Sequence, residues 1–269
     1  MYLGIDVGGT KTLGAVFNAE GQILARQKFS TPDKYEAFTS ELQKVLQNFS
    51  EYQIAACCCA LPGLIDRTKG IGLEFGRLAW ENVPIRKDLE KLLVRTNIFI
   101  ENDAKLAGLS EALLTHGKYK NILYLTIGTG IGDGIITDGK IDVDYQDTEA
   151  GQIVLEHGGK LVKWEDMASG RAIVQRYGKK AKDIEDPKVW QDYVKLLAPG
   201  IDALVATLQP DAIIIGGGVG AHFDKFHSYL DKELEKYENN MVKMPPLLKA
   251  QRPEEAVIYG CYDYIIQHN

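Results

Sequence analysis

The sequence predicts an α/β protein built from two related lobes, and three observations carry that expectation. Apolar strand-like runs alternate with segments of helical periodicity along the whole chain. Two of the runs, "QIAACCCALPG" and "DAIIIGGG", are continuously apolar, as strands buried on both faces are. The chain also repeats itself weakly. "YLGIDVGGTKTLGAVFNAEGQIL" begins at Tyr2 and "ILYLTIGTGIGDGIITDGKI" begins at Ile122. Each reads as a strand, a Gly/Thr turn, a second strand and an acid-Gly turn (Glu20-Gly21, Asp138-Gly139). Shifting by 120 residues places Gly8 on Gly128 and Gly14 on Gly134.

In the first lobe, expected at residues 1–116, the hairpin is followed by a helical pattern over 34–49 and a strand over 54–60. A turn at Pro62-Gly63, a helical "RKDLEKLLV", a strand "NIFIE" and a helix over 104–114 complete it. The second lobe, 117–269, adds to its own hairpin a helix starting near Ser169 and a long helix over 190–208. Then come the strand "DAIIIGGG", helices over 223–237 and a terminal helix in "EEAVIYGCYDYIIQ" that could pack back on the first lobe. With no low-complexity linker between the lobes, a cleft between them is the expected ligand site.

Composition narrows the function classes. The 269 residues are 45% hydrophobic and 25% charged, as in a water-soluble globular protein. No apolar run reaches the ~18 residues that span a bilayer, and no signal peptide is visible. A net charge of −6 without a Lys/Arg block argues against broad nucleic-acid binding. Cys57, Cys58, Cys59 and Cys261 form no C-x-x-C pair. Neighbouring strand residues point to opposite faces, so the triplet reads as small buried hydrophobes in a reducing cytoplasm rather than as a metal site.

Four motifs carry possible chemistry. In "IDVGGTKT", Gly8 and Gly9 let backbone N–H groups approach phosphate oxygens, Thr10 adds a hydroxyl and Lys11 a cation, while Asp6 could hold Mg²⁺. The spacing is not that of a Walker A loop, and an ordinary hairpin turn reads equally well from this stretch alone. In "TIGTGIGDG", Gly128, Thr129 and Gly130 repeat the logic. In "IENDAKLAGLSEALL", Asp103 stands where a strand gives way to a helix. It suits a helix cap, and it equally suits a base that accepts a hydroxyl proton, with Asn102 bonding a neighbouring hydroxyl. In "DAIIIGGGVG", Gly216, Gly217 and Gly218 would let a flat nucleoside lie on bare backbone.

Together "DVGGTK", "PGLID", "ENDA", "GTGIGDGI", "EDMASG" and "IIIGGG" resemble, in order and over nearly the whole chain, the ROK family of sugar kinases. The resemblance implies the actin/hexokinase-like (ribonuclease H-like) fold and ATP- and Mg²⁺-dependent phosphorylation of a hexose, most simply glucose. It implies Asp103 as general base, and sugar contacts from Asn102, Glu149, Gln152, Glu165 and Gly63. The turns at Gly8, Gly9, Thr10, Lys11 and at Gly128, Thr129, Gly130 would hold phosphates, and Gly216, Gly217 and Gly218 would line the adenosine site. A homodimer is implied by the resemblance alone.

The chain departs from the family pattern at three places. Gln152 stands where the family has a zinc-binding His, and the cysteines that complete the zinc site are absent from "GKLVKWE", so no zinc is expected. His157 differs in strand parity from Gln152 and would face the other way. Asp133 replaces a Gly beside the second turn, where a carboxylate would repel a nucleotide unless it points away or helps hold Mg²⁺. Arg77 replaces an Asn near the sugar pocket and would favour an anionic group. These departures keep open an N-acetylhexosamine or another hexose as substrate, and a catalytically weak sugar or nucleotide sensor. An ATPase or acyl kinase is disfavoured by "ENDA" and the two acids Glu149 and Glu165. A DNA-binding regulator is disfavoured by the fold strand starting at Tyr2.

Overall fold

The computed structural model describes all of residues 1–269. The chain divides into two compact units, Met1–Ser110 with Glu255–Asn269, and Glu111–Glu254. The boundary lies at 110/111, against the expected 116/117, and the terminal segment groups with the first unit.

In the first unit, strands β1 (Tyr2–Val7), β2 (Lys11–Phe17) and β3 (Ile23–Ser30) form an antiparallel meander. Helix α1 (Tyr35–Asn48) follows, burying Phe38, Leu42 and Val45 at helical spacing. Strand β4 (Ala56–Leu61) then pairs in parallel with β1. A small antiparallel sheet comes next: β5 (Leu64–Asp66), β6 (Ile71–Phe75) and β7 (Leu78–Val83). These strands lack clean alternation, which is why the sequence showed only the turn that precedes them. Trp80 anchors the small sheet, its ring 4.7 Å from that of Phe38 and its Nε1 donating to Asp33 O at 2.9 Å. Helix α2 (Ile85–Leu92), strand β8 (Asn97–Asn102) and helix α3 (Asp103–Leu113) complete the run. The main sheet has the order β3-β2-β1-β4-β8.

The terminal helix (Ala256–His268) packs on β1 and β4 of this sheet. Gly260 permits it to approach α3, because a Cβ there would lie 2.0 Å from Leu106 O. The cysteines alternate as the strand pleat demands. Cys57 and Cys59 join the core that holds Phe38 and Leu42, while Cys58 faces Cys261 of the terminal helix. Burial pushes all three β4 thiols well up, so they remain neutral.

The second unit repeats the topology. Strands β9 (Asn121–Ile127), β10 (Ile131–Thr137) and β11 (Lys140–Ile141) form a meander, followed by the hairpin β12 (Val154–His157) and β13 (Lys160–Lys163). Helices α4 (Trp164–Ala168), α5 (Gly170–Tyr177) and α6 (Pro187–Leu208) come next. Strand β14 (Ala212–Gly216), the helical turn Gly217–Gly220, helix α7 (His227–Leu234) and strand β15 (Leu247–Lys249) follow. The sheet order β11-β10-β9-β14-β15 mirrors that of the first unit.

The start of α6 is set by Asp186, whose side chain accepts from Lys188 N–H, with Pro187 in the first turn. Further along, Pro199 removes one helical donor, and Gly200 leaves space that Trp164 fills: a Cβ there would lie 2.1 Å from its indole ring. Trp164 is fully buried, which fixes α4 and therefore its neighbour Glu165.

Candidate active site

The strongest cluster in the first unit surrounds the junction of β8 and α3. Asn102, not Asp103, caps the helix. Its Oδ1 accepts from Ala104 N–H at 2.9 Å and Lys105 N–H at 3.2 Å. The helix starts one residue earlier than the apolar pattern suggests, so the cap falls on the last strand residue. Asn102 Nδ2 also donates to Gly63 O at 3.1 Å, leaving its second amide N–H as what it can offer a ligand. Gly63 itself sits at φ +89° in the turn after β4, where a Cβ would lie 2.1 Å from Glu74 O, so only glycine fits. It therefore presents a backbone carbonyl to Asn102.

Freed from capping, Asp103 accepts from Ala104 N–H at 2.8 Å through Oδ1. Burial pushes its pKa up to about 6, against the pull of the Ala104 amide and the Lys105 charge. Asp6, the penultimate residue of β1, is raised to about 7 by burial first, then by the negative charge of Asp103, with Lys28 opposing. A bound cation would relieve both effects. Asp6 with solvent and phosphate oxygens is a donor set suited to Mg²⁺. No group of three or more His, Cys, Asp or Glu side chains converges on a metal-sized site.

Behind this pair lies an ion pair that sequence reasoning missed. Arg67 Nε donates to Glu101 Oε2 at 2.8 Å and Arg67 Nη2 to Glu101 Oε1 at 2.6 Å. Glu101 Oε1 also accepts from Asn102 N–H at 2.6 Å, so the bidentate pair holds the backbone that leads into Asp103. The available signal was a charged residue at the end of the apolar run "NIFIE".

The first glycine turn follows Asp6 closely along the chain. Gly8 N–H donates to Lys11 O at 3.0 Å, and Thr31 Oγ1 donates to Gly8 O at 2.7 Å. Gly9, Thr10 and Lys11 are exposed. The stem of Arg77 runs over Gly9: a Cβ on that glycine would lie 3.3 Å from Arg77 Cβ. Arg77 therefore stands at the first glycine turn.

In the second unit, Gly128 N–H donates to Gly130 O at 2.9 Å and Gly170 N–H to Gly128 O at 2.7 Å. Glu165 presses on this turn: a Cβ on Gly130 would lie 2.5 Å from its Oε2. Gln152 Nε2 donates to Glu165 Oε1 at 3.0 Å. Gln152 lies in a 3₁₀ turn, Ala150–Gln152, and not on the strand of His157, so the parity argument does not apply; both side chains are exposed. Glu149 opens that turn and is exposed. Asp133 points into the unit, accepting from Ala150 N–H at 2.7 Å and from Thr148 Oγ1. It is thus turned from the glycine turn by two donors.

Of the third glycine group, Gly216 and Gly217 are required by packing. A Cβ on Gly216 would lie 2.4 Å from Tyr124 Oη, and Gly217, at φ +78°, approaches the Ile127 backbone within 2.7 Å. Gly218 is exposed with open space on its Cβ side, so it alone of the three offers bare backbone to a ligand.

Two α/β units of one topology, each led by a Gly-turn hairpin, define the actin/hexokinase-like class of folds. The chain belongs to the ROK family, whose model matches residues 2–268. Among its relatives, the N-acetyl-D-glucosamine kinase of Haemophilus influenzae is 28% identical over 97% of this chain and 97% of its own. The glucokinase of Streptomyces coelicolor is 25% identical over 98% and 96%. A ROK family glucokinase from Streptomyces griseus, solved in complex with glucose and AMPPNP, superposes with a TM-score of 0.82 at 23% identity, covering 99% of each chain. No helix of the protein is long and apolar enough to cross a membrane.

Proposed function

We propose that this chain is an ATP-dependent sugar kinase that phosphorylates a hexose hydroxyl, with Asp103 as general base. The observation that carries the reading is the junction of β8 and α3. There Asn102 takes over the helix cap, and Asp103 is left as a half-buried carboxylate with a pKa raised to about 6. Such a group is ionised near neutral pH and still basic enough to take a hydroxyl proton in the transition state.

In the reaction the sugar oxygen bonds to the γ-phosphorus of ATP as its proton passes to Asp103, and the bond to the bridging oxygen breaks, releasing ADP. Lys11, Thr10 and the backbone of Gly8 and Gly9 hold phosphate oxygens. Mg²⁺, when bound beside Asp6, would neutralise charge on the phosphates. Asn102 offers its free amide N–H to the sugar, and Glu149 and Glu165 accept from its hydroxyls. Assigning acids of the second unit to the same sugar as Asp103 rests on family membership. Gly218 gives the adenosine a flat approach.

Glucose is the first candidate, and the Haemophilus relative makes an N-acetylhexosamine the second. A sensor without turnover is not favoured. Two of the three departures that pointed to it, Asp133 and Gln152, are engaged within their own unit. The test is ADP formation with ATP and Mg²⁺ over a panel of hexoses and N-acetylhexosamines, repeated with polyphosphate as donor. Absence of sugar-dependent turnover with every acceptor and donor would refute the reading.

A further inference from the structure

Asp133 is the residue whose chemistry the proposed reaction leaves unused. It lies on β10, one residue from the strand's glycines, with only 2% of its surface exposed. A buried carboxylate is costly unless it is hydrogen-bonded. Its two oxygens are matched to two donors that flank a single residue: Oδ2 to the Thr148 hydroxyl and Oδ1 to the Ala150 N–H. The residue between them is Glu149. Thr148 is held again through its own N–H, which donates to Tyr145 O at 3.2 Å. On the far side the turn is closed by Gln152 N–H donating to Glu149 O at 3.0 Å. Close packing completes the clamp, since a Cβ on Gly151 would lie 2.3 Å from Ile131 O on β10.

We propose that Asp133 is a positioning residue for sugar recognition, gripping the backbone on both sides of Glu149 and so fixing where its carboxylate can meet a sugar hydroxyl. The inference rests on the sugar-kinase reading for its functional half, and on geometry alone for its structural half. Exposed Glu149 begins a 3₁₀ turn outside the sheets, and the residues on either side of it, Thr148 and Ala150, are both bonded to Asp133. The two bonds to β10 transfer the rigidity of the central sheet to that segment.

Two variants test this in the full chain. Asp133→Ala removes both acceptors, while Thr148→Val removes one donor and keeps the shape. Amide exchange is read at residues 148–152, and KM is read separately for sugar and donor. We expect faster exchange confined to 148–152, and a rise in sugar KM of about 10- to 100-fold for Asp133→Ala, as misplacement of a contact by about 1 Å produces. Donor KM should not move. Thr148→Val should shift sugar KM the same way by less, and the double variant should be no worse than Asp133→Ala, because the two substitutions break one link. Rescue of part of the effect by Asp133→Asn, which keeps an acceptor oxygen, is expected.

Unchanged exchange at 148–152 in both variants would overturn the proposal. So would equal rises in sugar and donor KM, which indicate general loosening. If Asp133→Ala fails to fold, Thr148→Val decides by the same readouts. If the unaltered protein turns over no sugar at all, the sugar-kinase reading falls, and the exchange data still judge the clamp.

Discussion

The two glycine turns, at residues 8–11 and 128–130, share a topology and differ in charge. Each joins the first two strands of its unit, and each opens with a glycine N–H bonded within the turn. Yet the first pairs Val7 with Thr12 and the second pairs Ile127 with Ile131, so the second turn is one residue tighter. The first carries Lys11 and lies under Arg77, and neither cation is paired with an acid. The second carries no cation within the turn, and the carboxylate of Glu165 that lies against Gly130 is also 3.9 Å from the Arg171 guanidinium. The two units thus share the hairpin while the turns differ in length and in the charge beside them. Phosphate binding by the second turn, implied by the family resemblance, is tested by the substitutions that probe this contrast.

Substitutions can break that contrast. The largest effect should come beside the first turn. Asp103→Asn is expected to lower kcat by about 10²- to 10⁴-fold, as loss of a general base does, while the thermal midpoint stays within a few degrees because Asn102 keeps the cap. An ADP assay and a melting curve measure both, and near-normal kcat would remove Asp103 from its role. Next, Gly130→Ala should displace the Glu165 carboxylate and raise sugar KM roughly tenfold with donor KM constant. If donor KM rises instead, the second turn holds phosphate after all and the charge contrast is irrelevant. Smaller still, Arg77→Ala should raise donor KM about two- to fivefold, because an exposed charge pair contributes only ~0.2–1 kcal/mol. A change in sugar KM alone would put Arg77 at the acceptor.

The pH dependence sharpens the same contrast from the side of stability. Burial raises both Asp103 and Asp6 above their unfolded values, to about 6 and about 7. The folded protein therefore binds protons more tightly than the unfolded chain, and the stabilising contribution is full below pH ~4 and lost as pH rises through 6 and 7. Denaturant midpoints should fall between pH 5 and pH 8 in the metal-free protein, and Asp6→Asn should flatten that slope. Over the same range kcat should rise with a midpoint near 6 as Asp103 ionises. A slope unchanged in Asp6→Asn would show that Asp6 does not carry the effect.

Much of this was legible in the sequence, and the reasons differ by residue. Continuous apolar runs marked β4 and β14 because both faces of those strands are covered. The repeat at 120 residues was visible because glycine turns keep their spacing. The small sheet β5–β7 was not, since its short irregular strands carry no period. The helix cap was misassigned by one residue because Asn102 and Asp103 are both good caps, and only the hydrogen bonds distinguish them.

By itself the sequence determined the class of fold, the order of the motifs and the chemistry present: a carboxylate at a strand's end, glycine turns, and no cysteine cluster near Gln152. Local periodicity and residue type suffice for those. Tertiary structure alone decided how the odd residues are used. Asp133 turns inward to grip the segment around Glu149, Gln152 is committed to Glu165, and Arg77 is laid over Gly9. A side chain's partner depends on which distant strand or turn is brought beside it, and spacing along the chain does not record that.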